Sequence, residues 1–255
     1  MQRVAITGGT GAVGRQALNA LSDHETTVLA RNDVDDLEVV ELDVADRDRF
    51  IEVLADHDSL VHLGANPSPD AAWDDVVEPN IEGTYNAYHA ALENDLDRVV
   101  FASTNHTVHM YNTRVPEEPE SMIDRPDPIT ADDPPRPDSY YGVSKVAGEA
   151  LGTYVADREG IEVINLRIGW LMDDSSLRET QEESDDHAHF ARAMYLSERD
   201  CRQAIRRAVE APIEENPVTC HVVSRNDERT LSLIEATTAL GYRPRDNATE
   251  VLESG

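Results

Sequence analysis

The chain has 255 residues, enough for one large α/β domain or two small ones with an ordinary hydrophobic core, which excludes a mini-protein or a disordered tail. Its 51 Asp+Glu against 22 Lys+Arg leave a formal net charge of −29, so no nucleic-acid or anionic-membrane partner is expected, and any phosphate-bearing ligand needs a local exception. Lys145 is the sole lysine; every other basic residue is arginine. A GC-rich genome would explain the arginine but not the carboxylates, whereas molar salt explains both, because it screens the self-repulsion of a densely hydrated acidic surface.

No apolar stretch reaches the ~18 residues that a membrane span needs, and no basic, apolar leader precedes the first strand, so a soluble cytoplasmic protein is expected. Cys201 and Cys220 have no metal spacing and form no disulfide framework; they read as apolar fillers, and no metal is expected. His187 and His189, two apart in an acidic stretch, read as solvated rather than as ligands.

Val4 to Ile6 is a short apolar strand, followed by glycine-rich sequence and by Val13 to Leu21 at helical spacing. Thr27 to Ala30 and Glu38 to Leu42 read as strands, Arg47 to Ala55 as a helix, Ser59 to Leu63 as a strand and Trp73 to Glu93 as one long helix. Arg98 to Ala102 is the next strand. Seven of the thirteen prolines lie between Pro116 and Pro137, which predicts a long loop, either a lid over a site or a solvated surface segment. Tyr140 to Arg158 reads as a helix, Glu162 to Arg167 as a buried strand and Asp173 to Asp186 as irregular. Glu198 to Glu210, Val218 to Val223 and Thr230 to Leu240 follow as helix, strand and helix. Strands alternating with helices predict a Rossmann-type α/β fold: a doubly wound parallel sheet with a small C-terminal substrate lobe. The expected division is a dinucleotide-binding core over residues 1–170 and the lobe over 171–255, packed as one unit.

Between the first strand and first helix, Gly8, Gly11 and Gly14 stand at the spacing that a pyrophosphate cradle requires. The first permits a tight turn, the second admits the phosphates, the third lets helix and strand approach, and Ala12 and Val13 open a helix whose N-terminus favours anions. The ribose is usually read at the end of the second strand, where this chain has Arg31 and Asn32. An arginine there favours NADP over NAD, with Arg15 able to help, although Asp33, Asp35 and Asp36 could neutralise it or meet the ribose themselves. Asp43 and Val44 follow the third strand on the adenine side, and Leu63, Gly64 and Ala65 end the next strand near the pyrophosphate.

Tyr141-Gly142-Val143-Ser144-Lys145 opens a helix, and spacing i, i+4 puts Tyr141 and Lys145 on one face. A phenol is a poor base near neutrality, but a neighbouring ammonium and a positively charged nicotinamide favour the phenolate, which can take a proton from an alcohol. A chain that otherwise uses only arginine keeps its one lysine at this position.

The glycine turn, Asn80, the strand ending Ser103-Thr104 and the Tyr141/Lys145 pair together resemble the extended short-chain dehydrogenase/reductases of the NAD-dependent epimerase/dehydratase superfamily, over most of the chain. More narrowly, Phe101 to His106, Arg136-Pro137-Asp138, Arg167-Ile168-Gly169 and Leu240 to Pro244 are similar to uronate dehydrogenases and to haloarchaeal sugar and sugar-phosphate dehydrogenases. That resemblance implies Thr104 in the catalytic serine's place, Asn80 and Ile168 at the cofactor, and Ser103, Asn105, His106 and Gly169 at the substrate. It also implies a homodimer. Two departures stand out. The ribose-binding Asp of NAD-using uronate dehydrogenases falls on Arg31. Their carboxylate-binding Arg falls on Phe190, with Arg192 two residues on, which opens the way to a neutral aldose. A further substrate serine falls near Pro67, beside Ser68.

The implied reaction is NAD(P)-dependent oxidation of an aldose, uronate or sugar phosphate at C1 to its lactone. The alternatives are a sugar-nucleotide epimerase or dehydratase, for which the roughly 85 residues after Trp170 leave little room, and a non-catalytic NADP-binding redox sensor, which would have no need of the Tyr/Lys pair.

Overall fold

In the computed structural model, residues 1–123 and 127–254 are described. The chain opens with β1 (Arg3–Thr7), α1 (Ala12–Ala20), β2 (Glu25–Ala30), β3 (Val39–Glu41), α2 (Arg47–Val53) and β4 (Ser59–His62). Alternation along β1 explains why its apolar run is continuous: Val4 and Ile6 enter one core layer while Ala5 enters the other, so the strand is buried on both faces. Asp46 starts α2 by accepting a hydrogen bond from the Arg49 amide.

The single helix expected over Trp73–Glu93 is interrupted. α3 (Trp73–Val76) passes into a wide π-helical turn, Val77–Glu82, and continues as α4 (Gly83–Glu93). Pro79 is the physical reason: it has no N–H to return to Asp75, and the orphaned Asp75 carbonyl instead accepts from Asn66 Nδ2 at 3.3 Å.

β5 (Arg98–Thr104) is followed by β6 (Thr113–Val115) and β7 (Glu118–Met122), an antiparallel hairpin. The proline-rich stretch is therefore partly ordered as a two-stranded ribbon, in which Pro119 is tolerated because no third strand needs its missing N–H. Residues 124–126 of the expected loop lie outside the described residues. α5 (Tyr140–Glu159), β8 (Glu162–Ile168) and β9 (Trp170–Leu171) come next, then α6 (Asp174–Thr180), α7 (Asp185–Met194), β10 (Tyr195–Leu196), α8 (Glu198–Glu210), β11 (Val218–Val222), α9 (Ile234–Ala239) and α10 (Ala248–Glu253). The acidic stretch from Asp173 to Asp186, expected to be irregular, is largely helical. Asp173 and Ser184 cap α6 and α7 through Ser176 N and His187 N, and acidic first turns suit both helix N-termini.

Seven parallel strands form the central sheet in the order β11-β8-β5-β4-β1-β2-β3. The C-terminal segment does not separate at residue 171: β11 pairs with β8 inside the sheet, and α8 packs on α1 in the same core layer. Only β9, β10, α6, α7 and α10 gather beyond the sheet's carboxyl end, around Met172, Leu177, Ala191 and Tyr195. Cys201 and Cys220 are buried in the α1/α8 layer, as fillers. Strand order reverses between β1 and β4, and the crevice at such a switch point is where doubly wound sheets hold ligands.

Candidate active site

The dinucleotide turn follows β1 directly. Gly8 has φ +65°, and a Cβ at Gly14 would meet Gly8 O at 2.3 Å, so the turn closes only without side chains at these two positions. α1 begins at Gly11 with no side-chain cap and no acid in its first turn. Its free N–H groups and positive end suit a pyrophosphate, so the residues present fit a dinucleotide. Thr7 ties this turn to the end of β4: its hydroxyl accepts from the Leu63 and Gly64 amides, each at 3.0 Å, and contacts His62 Nδ1 at 2.8 Å. Burial, and then the Lys145 charge, push the His62 imidazole down to about 3, so His62 is a neutral bridge. The expectation from sequence passed over His62, hidden as it is inside an apolar strand.

Arg31 is exposed just beyond β2 and makes no ion pair among the described residues. Arg15 is engaged instead by Asp36, at 2.6 and 3.1 Å, which removes one of the carboxylates that could have neutralised Arg31. Asn32 and Asp43 are likewise exposed at the ends of β2 and β3, while Val44 is buried under Gly64 and Gly83. Asn80 is fully buried, and its side chain joins Asn66 to α5: Nδ2 donates to Asn66 O at 3.0 Å and to Ser144 Oγ at 2.9 Å, while Oδ1 accepts from Asn66 N at 2.7 Å. Asn80 therefore ties the Asn66 loop to the start of α5.

A cavity of about 900 Å³ opens beside the switch point. Val13, Leu63, Ala65, Ser103, Thr104, Asn105, His106, Tyr141, Lys145, Ile168 and Gly169 all line it, bringing together most of the sequence-predicted site. Ser139 caps α5 through the Gly142 amide, and this helix start packs against the His106 carbonyl. That contact sets Tyr141 beside Thr104 at the end of β5. Burial lifts the Tyr141 phenol to about 12, with Thr104 pulling it back, and depresses the Lys145 ammonium to about 7, against the attraction of Glu149. Desolvation thus disfavours both charged forms. Lys145 Nζ stands 5.9 Å from the Tyr141 ring centre and 4.9 Å from that of Phe101.

Beneath the cavity, Glu149 receives Arg167 through two bonds of 2.9 and 2.8 Å and Ser103 Oγ at 2.5 Å. This buried pair clamps α5 to β8 and β5 one turn beyond Lys145. Ser103 thus turns its hydroxyl to Glu149 although it lines the cavity.

The cavity's far wall was only partly legible in the sequence. Phe190 packs edge-on to His109 at 4.9 Å and tilts against His106 and Trp170. Arg192 does not replace it at the cavity: Glu228 holds Arg192 at 2.7 and 3.1 Å, and Gln181 takes its third contact. The β6/β7 hairpin supplies Glu118 to Ser121 to the lining and is clasped to α7 by Arg114–Asp186 and His187–Glu120, both at 2.8 Å. His187 and His189 thus lie in carboxylate pairs rather than free in solvent. Pro67 lines the wall near Asp70, without Ser68. Among the lining residues Lys145 is the only Lys or Arg, against Asp70, Glu118, Glu120, Asp138 and Asp186.

Residues 4–206 match the NAD-dependent epimerase/dehydratase family. The chain belongs to this family. Within it, the chain is 53% identical over 254 residues to the L-arabinose 1-dehydrogenase (NAD(P)(+)) of Haloferax volcanii, covering 99% of this chain and 100% of that protein. It is 34% identical to the NAD-dependent glucose-6-phosphate dehydrogenase of the same organism, over 100% of this chain and 97% of that one. The crystal structure of uronate dehydrogenase from Agrobacterium tumefaciens superposes with a TM-score of 0.80 at 27% identity, covering 100% of this chain and 88% of that chain. The Rossmann-type sheet expected from sequence is thus the family's sheet, and the acid-rich, lysine-poor composition fits relatives from a haloarchaeon. No helix among the described residues is long and apolar enough to cross a membrane.

Proposed function

We propose that this protein is an NAD(P)-dependent dehydrogenase that oxidises a neutral aldose at C1 to the lactone. The observation that carries the substrate class is the cavity lining: five carboxylates, three of them (Glu120, Asp138 and Asp186) paired with His187, His106 and Arg114, and no Lys or Arg apart from Lys145. A uronate or sugar phosphate placed there would meet like charge and find no guanidinium to pair with, whereas sugar hydroxyls can donate to carboxylates. The relatives point the same way, since the one with 53% identity is named for L-arabinose.

Gly8, Gly11, Ala12, Val13 and Gly14 hold the pyrophosphate; Leu63, Gly64, Ala65 and Ile168 border the dinucleotide, and Asp43 with Val44 lies toward the adenine. Arg31, exposed and in no ion pair among the described residues, favours a 2′-phosphate, so NADP is the preferred cofactor and NAD the second. The bound nicotinamide supplies the acceptor for the two electrons leaving C1. Thr104 holds the C1 hydroxyl, and Tyr141 takes its proton as the lactone carbonyl forms. Lys145 binds the nicotinamide ribose and, as a cation in a dry site, favours the phenolate that burial alone opposes. Asn105, His106 and Gly169 face the rest of the sugar. Two copies pair through α4 and α5, whose outer faces expose Tyr85 and Tyr154.

The test is product identity. Incubation with L-arabinose and NADP or NAD should accumulate lactone and reduced cofactor in equal amounts. An epimerised sugar with no net cofactor reduction would identify an epimerase instead, and tight cofactor binding without turnover of any sugar would identify a sensor.

A further inference from the structure

Asp138 lies on the turn before α5 and carries no role in the reaction as described so far. Its side chain is only 1% exposed, yet it is ionised in character. Burial pushes its carboxyl upward, but the hydrogen bonds from the His106 ring and the Ser139 hydroxyl hold it below the usual range. Oδ2 lies 2.8 Å from His106 Nδ1, and Oδ1 accepts from Ser139 Oγ at 3.0 Å. Both carboxylate oxygens are therefore occupied by local partners. A carboxylate accepts and cannot donate, so the proton of a neutral His106 ring sits on Nδ1 and the lone pair on Nε2.

The rest of the ring is fixed as well. It stands in T-shaped contact with Tyr141 and His109 at centroid distances of 5.8 and 5.9 Å, and Phe190 tilts against it at 6.1 Å. His106 retains 15% side-chain exposure and lines the cavity. With Nδ1 turned to a buried carboxylate, the edge left for a ligand carries Nε2, which has no partner among the described residues. Nearby His109 has the opposite arrangement: its Nε2 lies 2.7 Å from the Pro119 carbonyl, which can only accept, and burial pushes the ring down to about 4.

We infer that Asp138 is a specificity-determining positioning residue, which locks His106 as an acceptor for a sugar hydroxyl. This rests on the neutral-aldose reading and deepens it. An Nε2 lone pair attracts an O–H donor, so the dyad offers the sugar one fixed acceptor at the atom that faces it. Without Asp138 the ring can exchange its tautomer or rotate, and the acceptor is no longer fixed.

Two measurements decide the matter. The first uses the unsubstituted protein: ¹⁵N-histidine NMR, with the His106 signals identified by their loss in His106→Gln. The expected result is a protonated Nδ1 and an unprotonated Nε2; a ring protonated at Nε2 overturns the inference. The second is kinetic, with Asp138→Ala and, should that variant not fold, Asp138→Asn. The expected result is a rise in aldose KM of about tenfold, kcat within about threefold and unchanged cofactor affinity, because a ground-state hydroxyl contact is lost and the hydride geometry is kept. An unchanged KM, or a fall in kcat together with cofactor affinity, overturns it. Failure of the unsubstituted enzyme to oxidise any neutral aldose would refute the substrate reading instead, while the NMR result would still decide the dyad.

Discussion

Tyr141 and Lys145 show how one dry environment acts on two groups at once. Burial raises the phenol to about 12 and lowers the ammonium to about 7, so each resists the charge that proton transfer from an alcohol requires. Tyr141→Phe removes the acceptor for the C1 hydroxyl proton and leaves the turn and Lys145 in place. It should cost at least about 10²-fold in kcat with cofactor affinity unchanged by fluorescence titration; full activity would remove Tyr141 from its proposed role. Lys145 also makes a stability prediction whose sign can be worked out. Its folded value is depressed from 10.5 to about 7, so between those pH values the unfolded chain still binds a proton that the folded chain has released. Stability then rises with pH, by up to about 1.4 kcal/mol per unit. Denaturant titrations of the protein and of Lys145→Met across pH 6 to 9 should diverge in favour of the unsubstituted protein as pH rises. Parallel curves would mean that Lys145 is not desolvated.

At the scale of elements, legibility in the sequence follows the kind of force that forms each one. β1, β4, β5 and β8 announced themselves because strands buried on both faces require continuous apolar runs, and α8 was readable to the residue from its amphipathic spacing. The π-turn over Val77–Glu82 was not readable, because it depends on Asn66, a residue from another loop, accepting the role of donor to a carbonyl that Pro79 had orphaned. The hairpin over 113–122 was missed for a similar reason. Its order comes from α7, through Arg114–Asp186 and His187–Glu120, and no local pattern encodes those partners. Of the site, the glycine turn, Thr104, Tyr141 and Lys145 carried fixed local spacings and could be named. Glu149, Asp138 and His109 could not, since each acts through a partner that only the fold brings near. The C-terminal segment misled most: a helix and a strand following an irregular stretch read as a lobe, but whether β11 joins the central sheet is decided by its pairing with β8.

For the molecule as a whole, the charge of −29 sets the conditions under which its chemistry can be observed. At low ionic strength the carboxylates repel one another over a Debye length of about 30 Å, which molar salt cuts to about 3 Å, so folded, active protein belongs in molar KCl. The same excess of carboxylates continues into the cavity lining, where Asp70 and Glu118 stand beside Glu120, Asp138 and Asp186, which are already paired with His187, His106 and Arg114, and Lys145 is the only Lys or Arg. In the proposed function this wall selects a neutral sugar. That selection is tested most directly by comparing kcat/KM in molar KCl for L-arabinose and other neutral aldoses, for uronates and for sugar phosphates, each with NADP and with NAD, followed by nicotinamide absorbance. The neutral aldoses should exceed both anionic classes by about 10²-fold or more, the scale of discrimination that like-charge juxtaposition imposes. Equal or faster oxidation of a uronate or a sugar phosphate would contradict that selection.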